Sequence, residues 1–210
     1  MSGLWDIGSL GQEEPAYRFI RHWRNLQRTS GCLIPPKTLL SPNSIKSILP
    51  YVYISEWTDS ADLTIRLCGT GLAGKFGMDM TGRNVFDFID PAEVAAQRRF
   101  YGAMLDQPCG GAQERLFRNG RRVPFLFVSL HLPLTDGDGK IRYFAGIGRA
   151  APAPVMSVLA TQHHQTDTSM TLRQTCLDIG AGLPALAGDE DWQTDILPYG
   201  TPGPDMRPHG

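Results

Sequence analysis

Glycines at 69, 71 and 74 spell G-x-G-x-x-G, the spacing with which a strand-to-helix turn cradles a dinucleotide pyrophosphate. Asp90 follows roughly 20 residues on, where that motif places an acidic ribose contact. The motif works only if its helix carries the chain back to a parallel strand, a crossover of a dozen or more residues. Here the helical stretch runs from Leu72 to Phe76 before Gly77 interrupts it, and everything after Gly110 reads as antiparallel hairpins. The glycines are therefore expected to serve tight turns.

Catalysis would need a nucleophile or an acid–base pair brought together, and the chain ahead of residue 150 offers only His22, His131 and scattered hydroxyls and carboxylates. Ser129 and His131 lie two residues apart along a strand, so they share a face and can both point into an interior. His22 sits among arginines and is expected in solvent. His163, His164 and Cys176 have metal-ligating chemistry, but nothing in their surroundings fixes a ligand geometry. Cys32, Cys68, Cys109 and Cys176 form no C-x-x-C pair, which suggests neither a zinc site nor a disulfide framework. The R-N-G-R-R run at 118–122 reads as a solvated hairpin tip. Arg66 is expected on the strand face opposite Leu63, Ile65 and Leu67, paired with Glu13 or Glu14, or meeting an anionic ligand if that face borders a cavity. No catalytic residue and no metal are expected.

These residues must be positioned by one domain, since 210 residues suit a single core with some chain to spare. Six basic face three acidic residues in 1–50, the middle is nearly balanced, and two face seven in 151–210. The net charge of −1 leaves no nucleic-acid footprint. The N-terminus lacks the basic and apolar regions of a signal peptide, and no apolar run approaches 18 residues, so a cytoplasmic location is expected.

Residues 1–50 read as an arm, an amphipathic helix and a connector. Ala16, Phe19, Ile20, Trp23 and Leu26 make an apolar stripe at helical spacing, with arginines on the other faces and Gly31 as the stop. Residues 51–149 read as two strands, Tyr51 to Trp57 and Ala61 to Cys68, then short helical turns, a helix opened by Asp90-Pro91 and ended by Pro108, and a three-strand meander. The meander comprises Cys109 to Phe117, Arg122 to Leu134 and Ile141 to Gly148, with turn signals at Asn119-Gly120 and Asp136 to Gly139. Residues 150–210, acidic and rich in proline and glycine, read as a disordered tail, with at most a transient helix over Thr166 to Leu177.

Two strands, a cluster of short helices, one longer helix and a meander is the element order of the PAS fold. The segment I-R-L-C-G-T-G-L-A-G-K-F-G-M-D-M-T-G-R-N-V, with the helix ending near Trp23 and I-L-P-Y-V-Y-I before it, resembles the PAS-like family of small stand-alone alphaproteobacterial proteins over residues 15 to 149. The resemblance implies an α+β fold: a five-stranded antiparallel sheet in spatial order 2-1-5-4-3, with helices covering one face and enclosing a space where such domains hold a ligand when they hold one. Haem-binding relatives use a histidine on the longer helix and flavin-binding ones a cysteine in an N-C-R-F-L-Q-like motif. Both are missing here, so no cofactor is expected. Phe127, Ser129, His131, Arg66 and Tyr101 are the candidate cavity residues. Phe19, Ile20, Trp23 and Leu26 are expected to cap the other sheet face or to form a homodimer, with contact to a membrane surface the less favoured use of this basic helix. The function implied is a non-catalytic sensory or protein-interaction module of bacterial signalling, acting by contact on a separate kinase, cyclase or regulator. Its cavity should then be small or filled by its own side chains. The alternative is a small-molecule carrier or an enzyme using that cavity.

Overall fold

The computed structural model describes residues 14–117, 123–153, 168–184 and 193–196. Helix α1 (Pro15–Ser30) begins with Pro15 in its first turn and ends at Gly31, whose φ of 70° lets its N–H reach the Gln27 carbonyl. The stripe predicted from its spacing is buried: Phe19, Ile20 and Trp23 are fully enclosed and Leu26 nearly so. Their cover is this chain's own sheet, through Leu130, Leu132, Leu134, Ala145 and Ile147. The Trp23 indole N–H also donates to the Pro133 carbonyl at 3.1 Å. Within this chain the helix therefore caps its own sheet through those four side chains.

Strands β1 (Val52–Asp59), β2 (Asp62–Cys68), β3 (Gly110–Phe117), β4 (Phe125–Thr135) and β5 (Ile141–Pro152) are antiparallel in the order β2-β1-β5-β4-β3, as the resemblance implied. Helices α2 (Thr70–Phe76) and α3 (Val94–Asp106) follow β2 and precede β3. Phe100, Tyr101 and Met104 of α3 pack with Phe144 of β5 on the sheet face opposite α1. Helix α3 starts later than Asp90-Pro91 suggested. The Asp90 carboxylate instead accepts from the Ala92 N–H at 2.9 Å in a preceding turn. Gly69 is required by close approach, because a Cβ there would collide with the Leu49 and Pro50 carbonyls. With α2 only seven residues long, the nucleotide crossover does not exist.

The sheet is larger than expected. Strand β6 (Ser169–Asp178) pairs antiparallel with β3, and the short β7 (Gln193–Ile196) pairs parallel with β6, giving seven strands. Residues 169–178 are therefore neither a disordered tail nor a transient helix but a partly buried strand, because β3 offers an open edge whose N–H and C=O groups need partners. The expected disorder of 154–167, 185–192 and 197–210, and the run at 118–122, lie outside the described residues. The end of β6 also meets α1, since the Ile179 carbonyl accepts from Arg24 at 2.8 Å and from the Gln27 side chain at 3.4 Å. Among the described residues no helix is long and apolar enough to cross a membrane.

Candidate functional site

Pleating sends Tyr53 and Ser55 of β1, Gln113, Arg115 and Phe117 of β3, and Phe127, Ser129 and His131 of β4 to the face under α2 and α3. Two glycines of β5 make this possible. A Cβ on Gly146 would lie within the Tyr53 ring, and one on Gly148 against the Phe127 ring, so both rings lie flat over bare backbone. The cavity is about 70 Å³, far below the roughly 300–1,000 Å³ of small-molecule sites. One end is aromatic: Phe76 of α2 meets the Phe117 and Phe127 rings edge-on, each at 5.0 Å between centroids.

The other end is polar. His131 Nδ1 is 2.8 Å from the Tyr53 hydroxyl, and its Nε2 is 3.2 Å from Ser129 Oγ. The Tyr101 ring stands at 89° to the imidazole with 5.3 Å between centroids. Burial, with the Arg115 charge adding to it, holds His131 down at about 3, so the ring is neutral and donates at one nitrogen while accepting at the other. Burial raises both the Tyr53 and the Tyr101 phenol, keeping each protonated. Ser129 and His131 have the separation of a nucleophile and its base, yet a base titrating near 3 draws little proton density from a hydroxyl at neutral pH.

Arg115 closes this end. Its guanidinium donates to Ser169 Oγ at 2.9 Å, the Ser169 carbonyl at 3.0 Å and Thr171 Oγ1 at 2.6 Å, and lies 3.5 Å from the Glu93 carboxylate. Glu93 accepts from the Thr171 N–H and hydroxyl, both at 2.8 Å, and the Gln97 amide donates to Thr171 and Gln174. Strand β6 thus forms one wall, tied to α3 and β3 by side chains.

Phe127, Ser129, His131 and Tyr101 converge on the cavity and Arg66 does not. Between Leu67 opposite Ile54 and Ile65 opposite Ser55 the register shifts by one residue, leaving Arg66 as a bulge. Cys68 then joins Leu63 and Ile65 on the cavity side while Leu67 turns to the other. Arg66 is exposed and donates to Glu56 at 2.6 Å, with Arg142 on the same carboxylate at 2.8 Å; Glu14 is not its partner, and Glu13 lies outside the described residues. His22 is half-buried on α1, and burial lowers its pKa. His163 and His164 lie outside the described residues, and among those described no three His, Cys, Asp or Glu could hold a metal ion.

Tyr53, Gln113, Arg115 and Ser169 escaped the sequence reading. The glycines at 146 and 148 inside a strand pattern were the available signal for a close approach. A haem or a flavin does not fit these walls. The volume is too small, and α3 carries no histidine.

Among solved structures, a light-oxygen-voltage domain studied with a flavin analogue is 17% identical, with a TM-score of 0.42, covering 58% of this chain and 91% of that one. The PAS domain of Bordetella pertussis BvgS is 16% identical at 0.38, covering 56% and 90%. The Rhodobacter sphaeroides LOV protein is 15% identical at 0.39, covering 59% and 77%. No curated protein matches the chain. The PAS domain family profile matches residues 12–147, from just before α1 to within β5, and the chain belongs to the PAS domain family.

Proposed function

We propose that this chain is a non-catalytic sensory or protein-interaction module that passes its signal by contact to a separate signalling protein. The observation that carries this reading is the cavity. At about 70 Å³, narrowed by the Phe76, Phe117 and Phe127 rings, it leaves room for a few waters but not for a substrate and its reaction. The imidazole beside its Tyr53 and Ser129 hydroxyls is neutral and of low basicity. What remains is surface: a sheet extended at one edge by β6 and capped on one face by α1.

A second reading, a carrier of a very small polar molecule, is favoured by the convergence of Arg115, Ser129 and His131 on the same cavity. Native mass spectrometry of the protein as purified, with an absorbance spectrum, separates the two. The module reading expects the mass of the chain or of whole multiples of it. A stoichiometric organic adduct, or an absorbance band beyond the aromatic region, would replace it with the carrier reading.

A further inference from the structure

Cys109, immediately before β3, and Cys176, on β6, are both fully buried, in one cluster with Phe100, Met104 and Phe144. Across the β3–β6 ladder Gly111 faces Cys176 and Gly110 faces Leu177. Cys109 is two residues before Gly111, so it shares that face and lies diagonally beside Cys176, with no side chain at 111 between them. Both are free thiols. We propose that Cys109 and Cys176 are the site of a reversible disulfide, formed by a hydroperoxide, that fastens β6 to the rest of the sheet.

The chemistry divides between the two sulfurs. The neighbouring sulfurs push the Cys109 thiol up and lower Cys176, so Cys176 is the thiol that loses its proton first and attacks. Its sulfur attacks one peroxide oxygen. The O–O bond breaks, an S–O bond forms, and the leaving hydroxide takes up a proton to become water (or an alcohol from an organic peroxide). The Cys109 sulfur then attacks the sulfenic sulfur. The S–S bond forms, S–O breaks, and the departing hydroxide leaves as water with the Cys109 proton. Two thiols lose two electrons and two protons, and one peroxide is reduced. Reagent reaches the pair when β6 opens from β3, the kind of local event to which outer strands are prone. The bond forms when the strand is seated and keeps it there, holding Ser169 and Thr171 against Arg115. Cys176 lies outside residues 12–147, so the bond would tie an appended strand to the family core.

The test uses the full chain carrying Cys32→Ser and Cys68→Ser, alongside the unsubstituted chain. Each is treated with hydrogen peroxide, blocked with a maleimide under denaturing conditions and digested with trypsin without reduction. The expected product in both is peptide 100–115 joined to peptide 174–210, lost on adding dithiothreitol. Amides of 169–178 should exchange about tenfold more slowly, or less, in the oxidised protein. The proposal is overturned by sulfinic or sulfonic acid at either cysteine without the link, or by links to Cys32 or Cys68 alone. It is equally overturned by thiols that stay reduced under peroxide sufficient to oxidise exposed Cys32, or by a link that leaves exchange in 169–178 unchanged.

Discussion

Replacing Trp23 tests whether α1 belongs to the domain's own core. Its side chain is fully enclosed, and its indole N–H bonds the Pro133 carbonyl at 3.1 Å. Trp23→Ala removes a large buried ring and leaves a cavity between helix and sheet, a loss of about 3–5 kcal/mol for buried Phe or Trp. Trp23→Phe keeps most of the ring and deletes the hydrogen bond, for which about 1 kcal/mol is the net contribution. Part of the lost volume adds to that, so the phenylalanine variant should fall clearly between wild type and alanine. Urea titrations followed by circular dichroism give both values. Repeating them over a hundredfold range of protein concentration should leave the midpoint in place, because the stripe is buried within one chain. A loss below about 1 kcal/mol for Trp23→Ala, or a midpoint that rises with concentration, would show that α1 is not docked in this way.

Phe127→Ala should cost about 3–5 kcal/mol in the same titration, since the ring is nearly buried among Phe76, Phe117 and the Gly148 backbone. A cost under about 1 kcal/mol would contradict the aromatic packing. Arg66→Ala should change stability by less than about 0.5 kcal/mol, because the side chain is exposed and Arg142 still pairs with Glu56. His131 titrates near 3 when folded against about 6.5 unfolded, so its contribution is complete above about pH 6.5 and is lost as pH falls towards 3. In that window the unfolded chain binds the extra proton, at about 1.4 kcal/mol per pH unit, and His131→Gln should flatten that slope. Imidazole resonances of His131 that titrate near pH 6.5 in the folded protein would refute the burial.

The stripe of α1 was legible because each of its apolar residues falls on one helical face, whereas the sheet order was implied only by the resemblance to PAS domains. Strand β6 was hidden for two physical reasons. Its residues lie inside 151–210, whose overall proline, glycine and acidic content reads as a tail, although 155–179 itself holds neither proline nor glycine. A bulge then breaks its alternation: Thr171 faces Arg115 while Arg173 faces Glu114, so Leu172 is extra and exposed, and inward positions pass from 169 and 171 to 174 and 176. The inward residues before the bulge are polar, which makes sense only beside a buried arginine from a distant strand. Arg66 failed likewise, because one bulged residue in β2 exchanged the faces of Leu67 and Cys68. Cavity residues on β4 were readable by alternation; those on β1 and β3 depended on pairings that no local pattern reveals.

The Ile179 carbonyl, shared by Arg24 and Gln27, joins the first helix of the described fold to the stretch just after its sixth strand. In sequence these groups are more than 150 residues apart; in space the path between them is one hydrogen bond. The backbone therefore describes a nearly closed ring, with its opening at the contact between α1 and β6. The same strand carries Ser169 and Thr171, which hold Arg115, so α1 and the cavity wall share one strand. Displacing α1 would therefore take from β6 one of the contacts that hold it against the cavity.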